Sequence, residues 1–436
     1  MNLNRRTLLR LSAGAAAAAA FGCSGGEGQR SAQEGGQDQS DSRFSEAPPS
    51  IRTLQTMTGG VVPISGEERR QRMEKARRLM SENGMAALYL EPGSSLFYYT
   101  GVRWGRSERM FAMVLPASGE PAYVCPKFEE QRAREVIHFG DDVRTWEEDE
   151  SPAQRVAQIF KDRGIRSGKV GMEERVRFFL FDGIRRAAPH LQYVSATPVT
   201  AGCRMYKSAA ELALMQRAND ITIEAYKVLV PLLHPGMTKT EFSQLSSMAH
   251  RALGVSGRIG VNFGEASAFP HGSIQPRSLR EGDIVLMDGG CSLEGYRSDI
   301  SRTTVFGKPT QRQTDVWNLE LEAQNAAFKA AQVGVPCEDV DAAARKVIVE
   351  AGFGPGYKVP GLPHRTGHGI GLDGHEWTNF VRGNKTPLAP GMCFSDEPTI
   401  AIYGEFGIRL EDDLYMTEEG PRFFTRQSVS ITQPFG

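Results

Sequence analysis

DIVLMDGGCSLEGYRSDISRTTVF occupies residues 283–306. Its apolar, β-branched ends flank a turn at Leu293, Glu294 and Gly295, the pattern of an antiparallel hairpin. With an even-length loop, Asp288 and Asp299 fall directly opposite each other, and residues so paired share a face with Cβ atoms about 4.5–5.5 Å apart. Two carboxylates held beside Ile, Val, Leu and Met repel and raise a pKa unless positive charge lies between them. A pair of divalent ions about 3.5–4 Å apart fits that gap. The alternative is one surface aspartate and one turn aspartate with no shared chemistry.

Further along, GMCFSDEPTIAIYGEFGIRLEDDLYMTEEG at 391–420 reads as two strands joined by a loop, with Glu397 ending the first and Glu411 inside the second. Side chains alternate along a strand, so Arg409 and Glu411 share the side opposite Ile408 and Leu410. Between hairpin and tail, HRTGHGIGLDGHE at 364–376 holds three of the chain's eight histidines, His364, His368 and His375. Gly367, Gly369 and Gly371 argue against a helix, and H-E-x-x-H is absent, which excludes a zincin arrangement. The stretch reads as an extended segment whose glycines let the backbone crowd a site. Any one of these histidines alone reads as a hydrogen-bonded core residue. Three together read as a site, one binding metal while the others polarise a substrate.

The surroundings suit an α+β architecture. Long amphipathic helices at 207–233 and 239–253 precede strands and hairpins, and two more helices follow near 311–333 and 338–351. Before a composition shift near Met205, helix and strand signals alternate: a helix through EERRQRMEKARRLMSENG, strands at AALYLE, MFAMVLP, PAYVC and KVGME, and helices near 127–137 and 152–164. This smaller α/β unit is assigned to 66–204 and the larger unit to 205–436. Trp104 and Arg106 either reach a neighbouring site or pack a turn. A net charge of −1 argues against nucleic acid as the main partner. Five cysteines, Cys125, Cys203, Cys291, Cys337 and Cys393, lack close spacing and are expected as buried thiols rather than a disulfide framework.

The N-terminal end reads differently. MNLNRRTLLRLSAGAAAAAAFGC, residues 1–23, has the Arg5–Arg6 pair and small apolar run of an export signal, resembling a twin-arginine leader that ends at a lipoprotein-like Cys23. Residues 24–65, rich in Gly, Gln, Ser, Asp and Pro, read as a flexible tether. Together they imply an exported protein of the periplasm or cell envelope, anchored by lipid at Cys23.

Asp288-x10-Asp299, His368, Glu397 and Glu411, in that order, resemble the metal-binding set of the pita-bread metallopeptidases, the family of methionine aminopeptidase, aminopeptidase P, prolidase and creatinase. FPHG at 269–272, VRGN at 381–384, FSDEP and GEFGIRLEDDL resemble its Xaa-Pro branch most closely. The resemblance implies a pita-bread catalytic domain behind a creatinase-type N-terminal domain. Asp299 and Glu411 would bridge two metals, Asp288 would bind one, and His368 with Glu397 would complete the other. Hard oxygen donors with one imidazole suit manganese above all, or zinc, cobalt or iron. The implied activity is cleavage of an N-terminal Xaa-Pro bond in a peptide or small-molecule substrate by a hydroxide bridging the metals. In the same resemblance, Glu397 shuttles the proton, His271 and His375 donate to the oxyanion or scissile nitrogen, His364 holds the leaving side, and Arg409 braces an aspartate ligand. A homodimer is implied likewise. A relative cleaving a small amide or C–N bond, creatinase-like or ectoine-hydrolase-like, and an inactive peptide-binding module are the other readings. Ala266, Thr378 and Thr399 depart from the branch pattern, where Asn, Pro and Gly are usual, and bear on substrate preference.

Overall fold

The computed structural model describes residues 47–435. The expectations for the export signal, Cys23 and the tether up to residue 46 lie outside the described residues. Residues 47–65 are not a free tether. A short helix, Pro49–Arg52, buries Ile51 completely, and the Met57 amide donates to the Leu253 carbonyl at 3.0 Å. Ala47, Ile51 and Ile64 supply the apolar anchors that composition averaged over 24–65 conceals. Ser65 then caps helix Gly66–Glu82 by accepting from the Glu68 amide.

The first half folds around a six-stranded mixed sheet in the order Asp142–Trp146, Ala122–Pro126, Ala112–Pro116, Met85–Leu90, Lys169–Met172, Gln192–Ser195. The inner strands are buried on both faces, which is why AMVLP and AYVCP read as unbroken apolar runs rather than alternating ones. Helices including Pro152–Asp162 and Phe178–Ala187 close its core through Val156, Ile159, Phe160 and Ile184. Trp104 stacks on Phe111 with ring centroids 4.2 Å apart, and Arg106 donates to the Pro92 carbonyl, so this turn packs on itself.

In the second half, helices Ala209–Leu229, Lys239–Ala252, Gln311–Ala330 and Cys337–Glu350 flank two antiparallel sheets. One contains Ser256–Phe263, Ile284–Leu293 and Ile300–Val305; the other contains Gly367–Gly369, Glu376–Phe380, Cys393–Asp396 and Asp412–Thr417. Capping boxes at Ser208/Glu211, Thr238/Glu241 and Thr310/Gln313 fix where three of these helices begin. All five cysteines named above are free and buried.

The decisive hairpin differs in register from the reading above. Its loop is the two residues Glu294 and Gly295, with φ of 50° and 92°, and Leu293 pairs with Tyr296. Positive φ at both positions is the tight turn whose twist matches the strands. Asp288 therefore faces Ser301, not Asp299. Asp299 lies two residues from Ser301 on the same face, so the aspartates are diagonal rather than direct neighbours. The tail likewise forms four short strands rather than two, with Thr399–Ile402 and Phe406–Arg409 inserted as a separate hairpin. Glu397 follows the end of Cys393–Asp396, and Glu411 occupies a break between strands, bridged to Ser301.

The two halves are joined by buried ion pairs. Arg204 pairs with Glu376 and, at 2.7 Å, with Asp373; Lys207 reaches Glu376 at 3.0 Å. Ser94 and Arg175 also donate to Asp373, at 2.7 and 3.0 Å. Glu376 accepts from the amides of Leu372 and Asp373, so the loop leading to His375 is held from the side of the first sheet.

Candidate metal centre

Three of the four acids fall at interruptions in regular structure, and the fourth, Asp288, comes from the middle of a continuous strand. Asp288 lies in a long strand just before Gly289, whose φ of 147° belongs to glycine, and Asp299 falls in the gap between the paired segments Tyr296–Arg297 and Ile300–Val305. The break at Glu411 lets its side chain turn toward Ser301, which donates to it at 2.5 Å. His368 stands in Gly367–Gly369, where a Cβ at either glycine would collide with the backbone, of Ser395 at 2.1 Å and of Glu376 at 2.9 Å. These glycines permit the close packing expected of them.

Three overlapping sets of donor atoms result, each within 4.8 Å: Asp288, Asp299 and Glu411; His368, Glu397 and Glu411; Asp299, His368 and His375. Glu411 links the first two. His368 Nε2 lies 3.3 Å from Glu397 Oε1, and its ring centroid is 3.9 Å from that of His375. Arg409 donates to Asp288 and, through Nε, to Ser301 Oγ at 2.9 Å. Among the described residues, the one ion pair of the four carboxylates is Arg409 with Asp288, His368 standing beside Glu397 as a neutral ring.

The electrostatics follow from that imbalance. Burial, with the charges of Asp288 and Asp413 added, pushes the Asp299 carboxyl well above the usual range. Glu411 is raised likewise by burial and by Asp299 and Glu397. Glu397 is pushed up to about 7 by burial, with Arg409 opposing. Burial drives His368 down to about 3, helped by His375, so its imidazole is neutral and can bind metal. Such a pocket is tolerable when dications replace protons, and its donors, carboxylate oxygens with one imidazole, fit them.

The remaining histidines take different places. His375 is exposed, with Nδ1 2.8 Å from an Arg365 nitrogen. His271 is also exposed and belongs to none of the three donor sets. It lies close enough to His375 to lower that ring's pKa, after burial and Arg365. Both ring nitrogens of His364 have protein partners: the Arg365 carbonyl at 2.7 Å and Thr399 Oγ1 at 3.0 Å. Sequence reasoning missed Ser301, Arg365 and Thr399 as parts of this site. Of these, Thr399 carried a signal, its departure from glycine.

Residues 213–418 match metallopeptidase family M24, and residues 72–206 match the creatinase/prolidase N-terminal domain. An Xaa-Pro dipeptidase of Lactobacillus delbrueckii subsp. lactis is 30% identical over 372 residues, covering 82% of this chain and 98% of that protein. Among solved structures, dipeptidase PepE of Mycobacterium ulcerans superposes with a TM-score of 0.78 at 32% identity, covering 86% of this chain and all of that one. A dipeptidase of Pyrococcus horikoshii gives 0.75 at 31% identity, covering 81% and 98%. With its fold, its paired domains and its clustered acids, the chain belongs to metallopeptidase family M24, the pita-bread peptidases, and carries the creatinase/prolidase N-terminal domain.

Proposed function

We propose that the protein hydrolyses the bond between an N-terminal residue and proline, using two divalent ions held by Asp288, Asp299, His368, Glu397 and Glu411. The observation that carries this reading is the sharing of Glu411 between two partly buried donor sets whose negative charge is left largely unbalanced. The ions, manganese first and zinc, cobalt or iron otherwise, would polarise the scissile carbonyl and acidify an attacking water. Asp299 and Glu411, each a member of two of the donor sets, would serve both ions. Glu397 can accept a proton and return it to the leaving nitrogen. In this reading His271 and His375 donate toward charge developing on the carbonyl oxygen. His364 frames the leaving side, and Arg409 braces Asp288. Proline leaves as a secondary amine and its nitrogen carries no N–H in the peptide, so the site needs no acceptor for one. Dipeptidase names among the relatives support a short substrate.

The test is a mass-spectrometric assay of purified protein on Ala-Pro, Ala-Pro-Ala and Ala-Ala-Ala with added manganese, alongside metal content. Two metals per chain with cleavage confined to the proline peptides is expected. Metal without such cleavage would favour a small-amide hydrolase. The leader-like residues 1–23 support an exported, Cys23-anchored protein, which membrane fractionation with and without Cys23→Ser would test.

A further inference from the structure

Arg365 lies beside the catalytic histidines. Its Nη1 donates to Asn379 Oδ1 at 2.9 Å, and Nη2 lies 2.8 Å from His375 Nδ1. Asn379 is the ladder partner of His368, so this anchor belongs to the rigid sheet that carries the metal-facing imidazole. Guanidinium has donors and no acceptor. The 2.8 Å contact is therefore a hydrogen bond only when His375 Nδ1 is bare, which puts the proton of the neutral ring on Nε2. His368 is set the opposite way. Its Nδ1 lies 3.1 Å from the Gly369 carbonyl, which can only accept, so Nδ1 carries the proton and Nε2 presents its lone pair toward Glu397. Two imidazoles with centroids 3.9 Å apart thus receive opposite tautomers from opposite partners, one an arginine and one a carbonyl.

We infer that Arg365 is a positioning residue that fixes His375 as an Nε2–H donor and bars it from acting as a metal ligand. The distinction has content, because His375 lies within 4.8 Å of both Asp299 and His368 and by distance alone would make a third ligand to a metal there. Binding through Nε2 would move the proton to Nδ1, against the guanidinium. The ring is instead left with an Nε2–H to donate to a substrate oxygen, and the exposed edge of His375, with Arg365, Trp377 and Asn379, also borders a cleft of about 380 Å³ that contains none of the five metal-facing residues. The inference rests on the proposed hydrolase reading only for what the donor acts upon; the tautomer does not depend on it.

The test is nuclear magnetic resonance of the full chain carrying 15N-histidine, metal-free and then with Zn2+, the His375 signal assigned by its loss in His375→Gln. The wild type is expected to show a protonated Nε2 and bare Nδ1 at His375 and the reverse at His368. Zn2+ should shift His368 and leave the His375 Nε2 proton in place. Arg365→Ala should give a mixture of His375 tautomers, and Arg365→Lys should restore part of the wild-type form. In turnover, Arg365→Ala is expected to lower kcat about 10–100-fold with KM nearly unchanged, and added guanidinium should recover part of it. A wild-type His375 protonated on Nδ1, or one whose Nε2 proton disappears on adding Zn2+, overturns the inference whatever the substrate proves to be. Correct tautomers without cleavage of any proline peptide would instead count against the hydrolase reading and leave this one standing.

Discussion

Asp299 and Glu376 are both carboxylates of the second half, and the fold treats them in opposite ways. Glu376, its side chain 4% exposed, meets Arg204 and Lys207 and two backbone amides, and its carboxyl is held down at about 2. Asp299 meets the negative charges of Asp288, Asp413 and Glu397, and its carboxyl is forced well up. Glu376 is a finished ion pair that ties Arg204 and Lys207 to the loop before His375; Asp299 belongs to an unfinished one that a dication would complete. Buried acids are thus told apart by whether the chain supplies their partners.

Substitution should separate the two most sharply. Asp299→Asn is expected to reduce turnover by at least about 10³-fold, the scale on which an active site loses a charge-stabilising group. It should also raise the denaturation midpoint of the metal-free protein, because an amide needs no proton taken up in order to sit among the neighbouring carboxylates. Glu376→Gln should do the reverse to stability, costing about 3–5 kcal/mol, because Lys207 loses its ion-pair partner and Arg204 keeps only Asp373. Chemical denaturation of both variants under a chelator reads the sign. If both lose stability, the contrast fails.

Acid and metal offer a second comparison. The Glu376 carboxyl falls from an ordinary value of 4.5 to about 2 in the fold, so its contribution is complete above 4.5 and lost as pH falls toward 2. Asp299 and Glu411 are raised, so their contribution is complete below their ordinary values of 3.8 and 4.5 and lost as pH rises through the higher folded ones. Metal-free protein should therefore be most stable on the acid side of neutrality and weaken toward pH 8. Manganese at about 100 times its dissociation constant should add about 2.7 kcal/mol and flatten that decline. A pH profile unchanged by metal would place the cation elsewhere.

Arg409 stands between the two regimes, a cation inside the acidic cluster. Its fork reaches Asp288 and Ser301, and Ser301 in turn reaches Glu411. Lysine keeps the charge and loses the fork. Arg409→Lys is expected to weaken metal binding about 10–100-fold in calorimetric titration, with little change in fold stability.

How much of this was legible depended on whether a residue's role was local. The acids Asp288, Asp299, Glu397 and Glu411 stood out by type and position, the resemblance to the pita-bread family singled out His368 among three histidines, and the coordinates gather all five. The hairpin register was misjudged because the loop was centred one residue early, and Glu294, a non-glycine at positive φ, gives little warning of a two-residue turn. Ser301 was invisible for the same reason, since it becomes the partner of Asp288 only in the true register. The Arg204–Glu376 pair joins residues 172 apart in the chain, a distance that no periodicity spans. Ala47, Ile51 and Ile64 show the opposite failure, a few anchors hidden in a segment whose average composition reads as free chain.

Thr399 offers the finest test of the contrast, because it completes a neutral partner rather than a charged one. It pairs with Arg409 in the inserted hairpin and lies buried, and its hydroxyl meets His364 Nε2 at 3.0 Å. Since His364 Nδ1 faces a carbonyl and burial holds the ring down at about 4, the imidazole is neutral and Nε2 accepts from the threonine. Thr399→Val nearly keeps the shape and replaces the hydroxyl donor with a methyl group, at a cost of about 1–2 kcal/mol for the stranded acceptor. A freed Nε2 can then meet substrate, so KM for Ala-Pro should shift on the order of threefold while metal binding holds. Loss of metal together with the hydroxyl would mean that His364 belongs to the acidic cluster, and the boundary between finished and unfinished partners would have to be redrawn around it.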